Sequence, residues 1–137
     1  MMPRAMAQHP IELILTRQLA SYLAAPMFLV GPEGELLFYN EPAEALLGYR
    51  FDEALEIPLE EWATTYQLFR RDSGERMPIE EFPVVAAMET RHPTHTSLLY
   101  QRPDGTKIPI VATSIPLIGQ GGELLGAVAV FWEDGQP

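Results

Sequence analysis

A chain of 137 residues with an apolar fraction of 47% supports one packed domain and leaves too little for a second core. It contains no cysteine, which excludes disulfides, thiolate catalysis and zinc–cysteine sites. The formal charge of −10 repels phosphate backbones and anionic lipid, so it argues against nucleic-acid or membrane partners and reads as a solvated surface, with an acidic docking face as the sharper option.

No apolar run approaches the about 20 residues a membrane helix needs. The longest, residues 19–30, is interrupted by Ser21, Tyr22 and Pro26. The opening "MMPRAMAQHP" has one Arg but no apolar stretch of signal-peptide length behind it. A cytoplasmic protein with a flexible tail over 1–10 is the expectation.

From Ile11 the apolar positions 11, 14, 15, 19, 22 and 23 follow the i, i+3, i+4 spacing of an amphipathic helix, and Pro10 suits its first turn. The spacing predicts a helix over 11–24, whose stripe is covered either by its own domain or by the same helix of a second subunit. Pro26 ends it. "MFLV" reads as a strand, "GPEG" as a turn and "ELLFY" as the returning strand of a hairpin.

Asn40 closes that hairpin and stands where a side-chain oxygen caps a following helix. "EPAEALLG" agrees: Pro42 is tolerated in a first turn, Glu41 and Glu44 favour the positive helix end, and Gly48 supplies the stop. The residue three beyond Asn40 is Ala43, so the reciprocal capping box is missing.

Residues 50–70 have helical character broken by Pro58, which predicts one or two short helices or turns; "RRDSGER" reads as a surface loop or a short hairpin. In "MPIEEFPVVAAMET", Pro78 and two glutamates open a helix whose apolar face is 82, 85, 86 and 88, with Pro83 as an alternative start. From residue 94 three β-rich runs, "THTSLLYQR", "TKIPIVATSIPLI" and "ELLGAVAVFW", are joined by "PDG" and "GQGG" into an antiparallel meander. Pro109 and Pro116 remove ladder donors and belong at an edge, a bulge or a strand end. Leu124 to Trp132 is apolar on both faces and belongs in the centre of the sheet. The order predicts an α+β domain: one antiparallel sheet of about five strands with short helices packed on one face, preceded by the amphipathic helix.

"LVGPEGELLFYNEPAEALLGY" and "YQRPDGTKIPIVATSIPLIGQGGELLGAVAVFWED" resemble the opening and closing patterns of the PAS domain, a sensory module of bacterial signalling proteins. In the second stretch Asp104-Gly105 and Gly122 mark the turns, and Gly126 precedes the last strand. The resemblance covers residues 19–134. It implies a PAS domain over 25–134 with a short tail at 135–137, and a five-stranded sheet often enclosing a ligand. It also implies homodimerisation through the N-terminal helix, which tips the choice for that stripe towards Ile11, Ile14, Leu15, Leu19 and Tyr22 as an interface. An effector such as a histidine kinase, in cis or in trans, is the implied partner. At "EDGQP" the family carries an Asp-Ile-Thr linker; Glu133 or Asp134 supplies the acidic residue but Ile-Thr is absent. Both a fragment and a protein signalling by association alone fit that ending.

Covalent flavin–cysteinyl chemistry and a p-coumaric acid chromophore each need a Cys and are excluded; non-covalent flavin stays open. Haem needs an axial ligand, for which His92 is the candidate, although "RHPTH" reads better as an exposed connection. His92 and His95 lack a Cys or carboxylate to complete a metal site. Glu60-Glu61 and Glu80-Glu81 are adjacent pairs that diverge by about 100° on a helix, so neither shares one catalytic site. Ser73 and Ser97 lack a nucleophile elbow. The positive hypothesis is an apolar pocket lined by Phe82, Val85, Met88, Leu98, Tyr100, Ile110 and Ala112, residues that would equally make an ordinary core. Asn40, Gly48 and Gly105 are assigned structural roles. The expected function is a non-enzymatic sensory module that senses an apolar metabolite, dimerises, or both; the alternative is a ligand-free interaction module with a filled core.

Overall fold

The computed structural model describes residues 10–20, 22–50 and 56–134. The expected tails, Pro10 excepted, lie outside these residues. Helix α1 (Ile11–Ala20) precedes a hairpin of β1 (Met27–Val30) and β2 (Leu36–Tyr39). Two helices follow, α2 (Glu41–Leu47) and α3 (Leu59–Thr65), then the short strand β3 (Leu68–Arg70) and helix α4 (Pro83–Thr90). The meander is β4 (Thr94–Gln101), β5 (Lys107–Ile118) and β6 (Leu124–Glu133). All strands join one antiparallel sheet in the order β2-β1-β6-β5-β4-β3.

The sheet has six strands rather than five. The extra one, β3, pairs Leu68 with Tyr100 and Arg70 with Leu98 at the outer side of β4. It is the first arm of a tight hairpin over "RRDSGER", in which Arg70 N–H donates to Glu75 O at 2.8 Å and Met77 N–H donates to Leu68 O at 2.8 Å. Lys107 Nζ lies 3.9 Å from the centre of the Phe69 ring and adds a cation–π contact from β5.

Alternation along the strands splits the core in two. Phe28, Val30, Ala127, Ala129 and Phe131 face α2, α3 and α4, whereas Met27, Leu29 and Val128 pack beneath α1 on the opposite face. The apolar β6 is central, between β1 and β5, as its two-sided composition requires. Pro109 is paired with Leu99 of β4 just before β6 joins β5, and Pro116 pairs with Ala127 of β6 beyond the end of β4. Pro116 thus falls where β5 has no partner on the β4 side, and Pro109 falls at the margin of the β5–β6 ladder, where its carbonyl accepts Asp134 N–H at 2.9 Å. Gly126 sits inside β6, at φ 150°, rather than ahead of it; a Cβ there would lie 2.2 Å from Val30 O, so β1 and β6 approach at a distance only glycine allows.

Helix α1 is shorter than the expected 11–24, and its buried side differs from the predicted stripe. Leu13 and Ala20 are the residues covered by the sheet, with Ile14 half-buried beside them. Ile11, Leu15, Leu19 and Tyr22 remain exposed, Tyr22 by 87%. The helix therefore carries two apolar faces about half a turn apart, and Ile14 belongs to the covered one. Arg17 lies over Phe38, 4.5 Å from the ring centre, and extends that covered face.

The helix ends where Asn40 accepts it. Asn40 Nδ2 donates to Ala20 O (3.0 Å) and Ala25 O (2.9 Å), while Oδ1 accepts from Met27 N–H (3.0 Å) and Ala43 N–H (3.2 Å). Capping of α2 is thus one of four bonds made by this buried side chain. Gly48 ends α2 at φ 84°, its N–H donating to Glu44 O, as expected of a left-handed stop. Asp104-Gly105 forms the tip between β4 and β5, closed by Arg102 N–H donating to Thr106 O at 2.8 Å.

Candidate functional site in the sheet–helix core

A cavity of about 70 Å³ lies between the inner sheet face and the helices. Phe28 reaches it from β1, Leu98 and Tyr100 from β4, Ile110 and Ala112 from β5, and Ala129 and Phe131 from β6. Leu47 of α2, Trp62 of α3 and the neighbouring Tyr66, Leu68 of β3, and the Phe82-Pro83-Val84 start of α4 complete it. No polar atom is exposed on its wall.

The aromatic members are locked together before any ligand arrives. The Phe28 ring stacks on Tyr39 at 5.7 Å and meets Trp62 (5.1 Å) and Tyr66 (6.2 Å) edge-on, and Trp62 continues to Phe82 at 5.7 Å. Such pairs hold a ring orientation beyond what burial alone provides.

Their polar atoms are spent on partners away from the cavity. Trp62 Nε1 donates to Gly34 O at 2.8 Å. Tyr100 donates its hydroxyl to Leu47 O at 2.6 Å. Tyr39 donates to Tyr49 O at 3.0 Å, which leaves Tyr66 to donate to the Tyr39 oxygen across 2.9 Å. Burial raises the phenol pKa values of Tyr39, Tyr66 and Tyr100, with the Tyr66 contact adding to the shift at Tyr39. All three are neutral throughout the physiological range.

The tyrosine bonds converge on the end of α2 and the segment after it. Its last turn carries no basic residue, and its carbonyls are met instead by Arg102 (to Ala45 O, 3.1 Å) and Tyr100 (to Leu47 O). Tyr39 holds the next segment through Tyr49. The helix that forms one wall of the cavity is therefore pinned by donors from the sheet.

Of the seven residues expected to line a pocket, the structure brings five together: Phe82, Leu98, Tyr100, Ile110 and Ala112. Val85 and Met88 are buried in the same core but do not line the cavity. Helix α4 begins at Pro83, which turns Val84 to the cavity; its neighbour Val85 is rotated by about 100° and Met88 lies a turn farther on. Sequence reading missed Phe28, Ala129 and Phe131, although strict alternation in β1 and β6 marks them, and Trp62 and Tyr66, whose i, i+4 spacing places them on one side of α3 and its end.

His92 is exposed at the turn after α4 and is absent from the cavity wall, so it is not placed to ligate a haem there. His95 lies on the outer sheet face, its Nδ1 2.8 Å from Thr113 Oγ1. Among the described residues no group of three or more His, Cys, Asp or Glu side chains gathers as a metal site. Organic cofactor sites occupy about 300–1,000 Å³. Neither a haem nor a non-covalent flavin fits a 70 Å³ cavity whose wall offers no polar atom to the edge of the ring system.

The PAS domain family matches residues 24–134. Comparison with curated proteins gives no match. Among solved structures, the PAS domain of BvgS from Bordetella pertussis is 18% identical with a TM-score of 0.59, over 91% of this chain and 87% of that one. The PAS domain of a protein from Colwellia psychrerythraea is 18% identical with a TM-score of 0.58, over 88% and 96% of the two chains. A light-oxygen-voltage (LOV) protein of Rhodobacter sphaeroides gives a TM-score of 0.66 at 16% identity, over 88% and 66%. At these identities the likeness is one of fold, and it agrees with the family match over most of the chain. The chain belongs to the PAS domain family.

Proposed function

We propose that the chain is a cytoplasmic sensory module that binds a small apolar ligand in the sheet–helix cavity and self-associates through α1, upstream of an effector such as a histidine kinase. PAS domains are generally sensory or signalling modules and typically not enzymes, and this chain is read in the same way. The observation that carries the reading is the apolar cavity, walled by every strand except β2 and by all three helices of the inner face. A ligand there acts by favouring one of two arrangements of sheet and helices, and it does so only by binding one better than the other. The exposed row Ile11, Leu15, Leu19 and Tyr22 supplies the surface on which two copies meet.

A ligand-free interaction module is the second reading, favoured by the small volume of the cavity. Two measurements separate them. Native mass spectrometry of gently purified protein shows a retained small-molecule mass if the module is a loaded sensor; an apo dimer that no added apolar compound stabilises supports the second reading. Leu15→Lys with Leu19→Lys, both at exposed positions, yields a folded monomer by light scattering if α1 is the interface. An unchanged dimer refutes that assignment.

A further inference from the structure

Resting on the reading of the cavity as a sensory site, we infer that its ligand is a compact, uncharged molecule with no hydrogen-bonding group, smaller than benzene: an apolar gas or a short hydrocarbon. The first argument is size. A dry apolar cavity of about 150 Å³ takes benzene or xenon. The cavity here, about 70 Å³, has under half that volume. Its boundary gives little, because Phe28 meets Trp62 edge-on at 5.1 Å and Trp62 packs tilted against Phe82 at 5.7 Å.

The second argument is chemistry. Every side-chain donor carried by the wall is committed elsewhere: Trp62 to Gly34 O, Tyr100 to Leu47 O and Tyr66 to Tyr39. A carboxylate would enter without a cation or an N–H, at the full cost of desolvating an ion. A phenol or alcohol would strand its own hydroxyl, unless it broke a bond that holds the end of α2. Water meets the same wall and gains no partner, so the space stays dry and is cheap to fill with an apolar guest. A fatty acid, with its carboxylate, is thereby excluded from the apolar metabolites that the sequence alone left open.

The test is ¹³C-methyl NMR of the whole chain under xenon pressure, with acetate and phenol as polar probes. Xenon is expected to shift the methyl signals of Leu98, Ile110, Ala112 and Ala129, and neither polar probe to do so. Ala112→Leu fills the space and should weaken xenon binding by about tenfold or more. Leu98→Ala enlarges it, so benzene should raise the melting temperature of that variant and leave the parent unchanged. Methyl shifts with phenol or acetate but not with xenon overturn the ligand class while leaving a sensory site in place. No response to any probe in the parent, together with no benzene response in Leu98→Ala, overturns both the class and the sensory reading.

Discussion

Asn40 Nδ2 donates to Ala20 O across 3.0 Å and so fastens the last residue of α1 to the junction between β2 and α2. The same amide group holds Ala25 O, and its oxygen receives Met27 and Ala43 N–H. One buried side chain therefore joins the N-terminal helix, the first strand and the first helix of the inner layer. Removing it should cost about 3 kcal/mol in chemical denaturation of Asn40→Ala, against about 1 kcal/mol for a helix cap alone. Asn40→Asp keeps the oxygen that accepts from Met27 and Ala43 N–H and loses the amide that donates to Ala20 O and Ala25 O, facing a carboxylate against two carbonyl oxygens. Hydrogen exchange should then accelerate in α1 while α2 stays protected. Equal acceleration in both helices would contradict the division of labour assigned to the two ends of the amide.

Alkaline titration tests the phenol network. Tyr39, Tyr66 and Tyr100 have pKa values raised by burial in the folded state. Their stabilisation is complete below the unfolded tyrosine pKa of about 10 and is lost as pH climbs towards the folded values. Stability should thus be level with respect to these groups up to about pH 9.5 and then fall by up to about 4 kcal/mol per pH unit for three phenols. Absorbance at 295 nm should show these three ionising together with unfolding. Three simple titrations near pH 10 in a still-folded protein would show that the network is open to solvent.

Ser114 lies on β5 between Thr94 and Ala129, fully buried, and its Oγ has no hydrogen-bond partner among the described residues. A buried hydroxyl in that condition costs stability without returning any. Ser114→Ala is expected to be neutral or to stabilise by about 1 kcal/mol in urea denaturation. A loss of stability greater than that would mean that the hydroxyl serves an interaction made in solution.

The sequence made Asn40 legible as a cap because the cap bond is local, three residues away. Its bonds to Ala20 and Ala25 span 20 and 15 residues, and no periodicity encodes them. The same limit explains α1. Ile11, Leu15 and Leu19 form the stronger apolar row, yet Leu13 and Ala20 are the pair that fits onto Leu29, Leu37 and Val128. Pattern reports that a face is apolar, while shape decides which face is buried. Strand β3 escaped notice because three residues are too few to show alternation, and its pairing is set by the hairpin turn behind it. The long strands and their turns were legible throughout, since Asp104-Gly105 and the glycines after Gly119 punctuate runs of ten residues or so. In the cavity, five positions followed from alternation on β4 and β5 and from Phe82; the adjacent Val84 and Val85 could be told apart only once Pro83 fixed the phase of α4.

The outermost strands, β2 and β3, span only four and three residues. Beyond β2, Leu36 is bridged to Ile57, so part of that margin already has a partner. Beyond β3, Phe69 is bridged to Arg76, and Arg70 is engaged by Glu75 and Glu81. Neither margin presents the long row of idle amides and carbonyls on which another chain zips up a continuous sheet. Fibrillar stacking by strand addition is thereby disfavoured, and any contact between copies would fall to side-chain surfaces that form and release without rebuilding backbone.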